Sequence, residues 1–238
     1  MILYYVRHGD PIYEPDGLTE LGKKQAQALA KRLALYGVDE IYCSTSRRAQ
    51  MTAQPICEKL EKEKILLDWA HEGLVWGEFT VPDDCGQYRW AFQCEDYRKR
   101  FNDPEVRALG REWYAHSCFA NNNFRKGMER IQTETDRFLS ALGFEHILQK
   151  GHYKLLKKSE KRIALFAHEG FGKVFLSCLL DIPYPQLATR FELGHSSVTV
   201  IYFDEQAEYI YPQVLQWSND SHLYSENLLT GYQNKLDI

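Results

Sequence analysis

One N-terminal stretch decides the fold: residues 2–9 read ILYYVRHG. Its first five residues form an uninterrupted apolar run rich in β-formers, which is typical of a buried strand in a parallel sheet. Arg7, His8 and Gly9 follow at once, so the predicted strand ends where a loop begins. Because ligands bind beyond the carboxyl ends of parallel strands, this loop is a candidate site.

Strands and helices alternate after this loop. Thr19 is the predicted N-cap of a helix that ends at Gly37, with small and apolar residues at helical spacing between them. The further predicted elements are strands at 40–43, 65–69, 163–167, 197–203 and 208–215 and helices at 47–60, with Pro55 as a candidate kink, 126–148 and 170–180. This order predicts an α/β fold, a three-layer sandwich whose mostly parallel central sheet carries helices on both faces.

We expect a single domain over residues 1–238 with an insertion at about 78–125. The inserted residues are rich in aromatic side chains and show no clean periodicity, so we predict that they pack over the active edge of the sheet. Residues 151–161 are lysine-rich, and such a run is typical of a solvated connector.

The composition is that of a soluble globular protein, with 44% hydrophobic and 26% charged residues and a formal net charge of −4. This balance argues against nucleic acid or a membrane surface as the main partner. No apolar run is long enough to span a bilayer, and residues 1–6 carry no charged leader, so we expect a cytoplasmic protein. The six cysteines lack zinc-type spacing and are expected to be free thiols, with no metal and no cofactor.

A second histidine occupies the same kind of position as the first. His168 follows the predicted strand at 163–167, just as His8 follows the first strand. Arg7 and Arg48 lie beside or just after strand ends, and a guanidinium offers two anionic oxygens a planar fork of donors. Two histidines and two arginines at converging strand ends predict a pocket for an anion such as phosphate; Arg47, next to Arg48, is expected to be solvated.

Four blocks of the chain resemble the histidine phosphatase superfamily, which includes the cofactor-dependent phosphoglycerate mutases. The blocks are YVRHG at residues 5–9, the helix at 22–33, STSRRAQMTA at 44–53 and AHEG at 167–170. The resemblance covers residues 1–77 and 160–204 and leaves out the aromatic insertion. It implies that His8 is the nucleophile, that Arg7, Arg48 and His168 hold the phosphate, and that an acidic residue protonates the leaving oxygen.

The identity of that acid is open at the level of sequence. Glu72 stands near the position of the family's acid. Asp10 is the alternative donor, since this chain has Asp10-Pro11 where much of the family has a threonine after Arg-His-Gly-x. Glu169 follows the second histidine where the family often has glycine, and its carboxylate would repel phosphate unless it turns away. We expect His195, on a loop that enters the strand at 197–203, to be structural.

The function expected from these residues is a metal-independent phosphatase that hydrolyses a small phosphate monoester through a phosphohistidine on His8. Attack on phosphorus requires a neutral imidazole, which a hydrogen bond from the other ring nitrogen to a backbone carbonyl would orient. The partner is then a small phosphorylated metabolite, while the oligomeric state is undetermined. Two alternatives remain, a phosphoglycerate-type phosphomutase and a non-catalytic module on the same fold that binds phosphoproteins.

Overall fold

The computed structural model describes residues 1–230. In chain order, its strands are β1 (Ile2–Arg7), β2 (Pro11–Tyr13), β3 (Asp16–Leu18), β4 (Glu40–Ser44), β5 (Lys64–Leu67), β6 (Thr80–Pro82), β7 (Tyr88–Trp90), β8 (Phe144–Ile147), β9 (His152–Leu155), β10 (Arg162–Ala167), β11 (Val198–Tyr202) and β12 (Gln213–Asn219). Its α-helices are α1 (Glu20–Tyr36), α2 (Arg47–Leu60), α3 (Glu72–Phe79), α4 (Glu95–Phe101), α5 (Pro104–Ala108), α6 (Phe124–Ala141), α7 (Glu169–Leu180), α8 (Tyr184–Ala188) and α9 (Ser221–Ser225).

The central sheet has the order β12-β11-β1-β10-β4-β5. Strands β1, β10, β4 and β5 pair in parallel, while β11 pairs antiparallel with β1, and β12 antiparallel with β11. The predicted first strand is therefore central, with β10 on one side and β11 on the other. This arrangement brings the carboxyl ends of β1, β10 and β4 side by side.

Both faces of the sheet are buried. Side chains alternate along a strand, so Leu3 and Tyr5 of β1 pack into one hydrophobic core and Tyr4 and Val6 into another. Apolar residues of α1 and α2 complete the core around Val6, and those of α6 and α7 complete the core around Tyr5. The predicted three-layer α/β sandwich is confirmed.

The predicted ends of α1 are confirmed. The side chain of Thr19 accepts a hydrogen bond from the backbone N–H of Gly22, and Gly37 ends the helix with φ at +75°. Helix α2 continues through Pro55 to Leu60.

The predicted helix at 126–148 and the lysine-rich connector at 151–161 were partly wrong. Helix α6 ends at Ala141, and Gly143, with φ at +100°, turns the chain into the antiparallel pair of β8 and β9. Strand β9 lies inside the predicted connector. Its Tyr153 is almost completely buried, which a solvated segment would not allow.

The strand predicted at 208–215 is also displaced, since β12 begins only at Gln213. Pro212 lacks the N–H that an interior strand residue donates, so the ladder with β11 starts after it. Ile210 instead forms an isolated bridge with Tyr153.

The aromatic segment between α3 and α6 folds as the β6–β7 hairpin, α4, α5 and short 3-10 turns. Most of its aromatic residues form a core with α6 and α8. In this core Phe101 and Trp113 contact both Phe124 and Tyr184, and Phe119 contacts Phe124. Trp90 and Gln93 of this segment line a cleft at the carboxyl edge of the sheet. The insertion is thus partly core and partly cleft wall.

Candidate active site

The cleft lies where β1, β10 and β4 end. It encloses about 680 Å3. Its lining residues are Arg7, His8, Tyr13, Arg48, His71, Glu72, Gly73, Trp76, Trp90, Gln93, Glu169, Gly170 and His195.

His8 is held in a defined orientation at the floor of this cleft. Its Nδ1 lies 2.7 Å from the carbonyl oxygen of Gly9, which can only accept, so Nδ1 carries the proton. Nε2 is left unprotonated, 3.3 Å from Nε of Arg48, which donates to it. Burial, followed by the charge of Arg7, lowers the pKa of His8 well below its usual value.

The loop that carries His8 is packed tightly against two helices. A methyl group on Gly22 of α1 would come within 2.2 Å of the Asp10 carbonyl oxygen, and one on Gly9 within 2.8 Å of the Gly22 carbonyl oxygen. The backbone N–H of Gly9 donates to Oγ1 of Thr52, and that of Asp10 to Oε1 of Gln25. These contacts fix the backbone on both sides of the nucleophile candidate.

Arg48 lies beside His8 because a carboxylate holds it there. Its Nη1 is 2.8 Å from Oδ1 of Asp16, whose Oδ2 accepts from the backbone N–H of Arg47 at 2.7 Å. The side chain of Arg47 is exposed, in agreement with the expectation that it is solvated.

Arg7 is buried beneath the other side of the cleft. Its Nη1 lies 2.9 Å from Oε2 of Glu169 and also donates to the carbonyl oxygen of Leu193, while its Nη2 lies 2.8 Å from Nε2 of His195. The buried Nε–H of Arg7 has no hydrogen-bond partner within residues 1–230.

The carboxylate of Glu169 does not stand unpaired against the predicted phosphate pocket. Besides Arg7, it lies 3.0 Å from Nζ of Lys173, which is completely buried. Burial alone would raise the pKa of Glu169, but the charges of Arg7 and Lys173 outweigh it and lower the pKa. Glu169 thus positions Arg7 and is itself neutralised from behind.

His168 is completely buried, with its ring centroid 5.2 Å from that of His8. Its Nε2 lies 2.8 Å from Oγ of Ser44 and 3.1 Å from Oγ of Ser46, two hydroxyls that can donate to it. Its Nδ1 lies 3.2 Å from Oε2 of Glu72 but has no hydrogen-bond partner within the described chain. Burial, then the charges of His8 and Arg48, lower the pKa of His168 well below its usual value.

Glu72 and Asp10 occupy different surroundings. Glu72 is the first residue of α3, lines the cleft, and accepts a hydrogen bond at Oε1 from the backbone N–H of Phe171. Asp10 accepts at Oδ2 from Oγ1 of Thr19 at 2.6 Å, and its Oδ1 lies 3.5 Å from Nδ1 of His195. In the described part of the chain, Asp10 is not among the residues that line the cleft.

The structure brings all five predicted site residues together, although His168 lies just behind the cleft surface. It also brings in residues that sequence reasoning missed or set aside. Asp16 was missed because its partner Arg48 is far away in sequence. Ser44 and Ser46 lie in the block at 44–53 that resembles the superfamily, but they were given no role because their partner His168 is also distant in sequence. His195 was expected to be structural, yet it lines the cleft and contacts Arg7, and burial lowers its pKa to about 4.

Two features are absent from residues 1–230. No group of three or more histidine, cysteine, aspartate or glutamate side chains is arranged to hold a metal ion. No helix in this range has the length and hydropathy to cross a membrane.

The fold, the two strand-end histidines and the paired arginines define an α/β protein with a basic cleft at the carboxyl edge of its sheet. Residues 3–82 match the family model of the histidine phosphatase superfamily (branch 1). This part of the chain is therefore similar to that superfamily.

A curated relative and several solved structures are also similar to this chain. Phosphoserine phosphatase 1 of Hydrogenobacter thermophilus is 30% identical over 115 residues, which are 43% of this chain and 51% of that protein, so the match spans about half of the relative. A phosphoserine phosphatase of Entamoeba histolytica, solved with 3-phosphoglyceric acid, has a TM-score of 0.58 at 18% identity over 93% of this chain and 98% of its own. A mycobacterial glucosyl-3-phosphoglycerate phosphatase has a TM-score of 0.57 at 20% identity over 91% of this chain and 98% of its own. At these identities the structures show the shared fold.

Proposed function

We propose that this protein is a phosphatase that hydrolyses a small phosphate monoester through a phosphohistidine intermediate on His8. The observation that carries the proposal is the orientation of this imidazole. Its Nδ1–H donates to the Gly9 carbonyl, and its basic Nε2 is left at the floor of a cleft lined by Arg7 and Arg48. A neutral, fixed imidazole is the form that can attack phosphorus.

In the first step, Nε2 of His8 forms a bond to phosphorus while the ester P–O bond breaks. The charge of the transition state is spread over the equatorial phosphate oxygens, so fixed positive charge and N–H donors in the cleft stabilise it. Arg7 and Arg48 supply the charge, and the free Nε–H of Arg7 and Nδ1 of His168 supply donors.

Glu72 gives its proton to the departing alcohol oxygen in this step. Its carboxyl group lines the cleft, whereas that of Asp10 is engaged by Thr19 and His195. Asp10 remains the second candidate, and the two are separated experimentally below.

In the second step, water attacks the phosphohistidine and the P–N bond breaks. Glu72, now a carboxylate, takes the proton from the water as general base. Inorganic phosphate leaves, and His8 returns to its neutral state. Every charge in this scheme comes from a side chain, so the reaction needs no metal.

The proposed substrate is a small phosphorylated metabolite, in keeping with the names of the relatives, which are phosphatases of phosphoserine and glucosyl-3-phosphoglycerate. We place the enzyme in a reducing compartment such as the cytoplasm, because all six cysteines lie within the described residues and are unpaired.

The test is the variant His8→Ala. We expect it to abolish both turnover of p-nitrophenyl phosphate and the acid-labile phosphoenzyme, with a loss in kcat of at least about 10^4-fold, the scale seen when a covalent nucleophile is removed. His116→Ala is the matched control, since that histidine lies in the insertion and does not line the cleft. Near-normal turnover by His8→Ala would overturn the proposal.

Two further measurements with the same protein separate the alternatives. Phosphate release without stimulation by a bisphosphate contradicts a mutase, and turnover itself contradicts a binding module. Activity that falls with EDTA and returns with a divalent ion would contradict the metal-free scheme.

A further inference from the structure

The lining of the cleft combines charged and aromatic side chains. Arg7, Arg48, Glu72 and Glu169 supply the charges, and Tyr13, Trp76 and Trp90 supply the rings. Since the arginines hold the phosphate in the proposed function, we expect the leaving group to contact the aromatic rings.

One aromatic wall is rigid. The ring of Trp90 rests on the backbone of Gly170, where a methyl group would come within 2.3 Å of its Cη2 atom. Trp76 meets Trp90 edge to face, with ring centroids 4.9 Å apart, and Phe92 stacks behind Trp90 at 5.7 Å. The tryptophan pair is therefore held in place before any ligand arrives.

Two of the aromatic rings that line the cleft are exposed to solvent. Trp76 is 41% exposed and Tyr13 is 67% exposed, and the guanidinium carbon of Arg48 lies 5.4 Å from the centroid of the Tyr13 ring. Large aromatic side chains gain most when they are buried, so exposed rings that line a cleft mark a surface for a ligand.

The same cleft offers no spare positive charge. Its fixed cations in the described residues are Arg7 and Arg48, and each is already paired with a carboxylate, Glu169 and Asp16. A phosphate would take up the donors that remain. A second anionic group on the substrate would meet aromatic rings instead of an unpaired arginine of the described residues, which disfavours it.

We propose that the leaving group of the substrate is an uncharged alcohol carrying a flat ring, and that a carboxylate beside the ester oxygen is selected against. This inference rests on the proposed phosphatase function and specifies its substrate class. It separates this chain from the relatives whose names refer to phosphoserine and phosphoglycerate.

Three primary alkyl phosphates test the inference with leaving groups of similar basicity: 2-phenylethyl phosphate, propyl phosphate and 3-phosphonooxypropanoate. We expect kcat/KM for the ring ester to exceed that for propyl phosphate by about tenfold, the worth of about 1.4 kcal/mol of added ring contact. The kcat/KM for the carboxylate ester should be at least about tenfold lower than that for propyl phosphate.

The variant Trp76→Leu should lower the ratio of ring ester to propyl ester toward one. Tyr88→Leu is the control, because Tyr88 is an exposed aromatic residue of the same segment that does not line the cleft. Its ratio should equal that of the wild type.

Equal kcat/KM values for the three esters, or a preference for the carboxylate ester, would overturn the inference while leaving the phosphatase intact. If the ratio of kcat/KM for the ring ester to that for propyl phosphate is unchanged in Trp76→Leu, the inference is also overturned. If none of the esters and no aryl phosphate is hydrolysed, the proposed function itself fails, and the two failures are thereby distinguished.

Discussion

Two buried histidines with carboxylate neighbours show opposite behaviour in this molecule. His146 of β8 places Nδ1 2.8 Å from Oδ1 of Asp136 and Nε2 3.0 Å from Oδ2 of Asp181. Burial alone would lower its pKa, but the two carboxylates outweigh it and raise the pKa to about 9. His168 has Glu72 beside it, yet burial and its cationic neighbours lower its pKa well below the usual value.

The difference between these two clusters lies in hydrogen bonding as well as charge. Both ring nitrogens of His146 are satisfied by protein groups, so its cluster ties α6, β8 and the end of α7 together and leaves nothing for a ligand. His168 keeps Nδ1 without a partner in the described chain. A satisfied buried cluster stabilises a fold, whereas an unsatisfied one beside a cleft is available for chemistry.

The sharpest test of this contrast is Arg48→Ala. We expect kcat/KM to fall by about 10^3-fold, because a donor at the transferring oxygens acts mainly in the transition state. The free energy of unfolding should change little. Arg47→Ala is the control, as that side chain is exposed next to it. If Arg48→Ala unfolds the protein but retains activity in the folded fraction, Arg48 belongs with the structural residues.

Glu72→Gln should produce the next largest effect. A general acid matters most for a basic leaving oxygen, so phosphoenzyme formation from an alkyl phosphate should slow by about 10^2-fold and from p-nitrophenyl phosphate by much less. Single-turnover rates for both esters measure this bias. Asp10→Asn should slow phosphoenzyme formation from both esters by the same factor. If Asp10→Asn instead shows the bias and Glu72→Gln loses equally on both esters, the proton donor is Asp10.

His146→Gln should affect stability and spare catalysis. Because the folded-state pKa of about 9 lies above the unfolded value, the contribution of His146 is complete below about pH 6.5 and is lost as the pH rises through 9. We expect the variant to lose about 2 kcal/mol of unfolding free energy near pH 6 and much less near pH 10. Denaturant unfolding at both pH values measures this; a loss that is the same at both, or a changed kcat/KM, would contradict it.

The sequence predicted the sheet and the group of histidines and arginines in the cleft, because short local segments of the chain specify both. The apolar run before Arg7 and His8 predicts a strand that ends in a loop at these residues. Parallel pairing of this strand with the one before His168 then places His168 next to His8. The support of Arg48 by Asp16 depends on how β3 packs against α2, which no local pattern encodes. Likewise, β9 lies in a lysine-rich stretch. Its composition predicts a solvated segment and gives no sign that Tyr153 is buried.

Because Gly170 has no side chain, two parts of the chain can pack closely against each other there. Gly170 opens the helix that follows His168, and the insertion reaches the cleft by laying Trp90 on it. The start of α7 therefore presents bare backbone to the Trp90 ring. A side chain at position 170 would push this ring away and disturb its edge-to-face contact with Trp76 in the cleft lining.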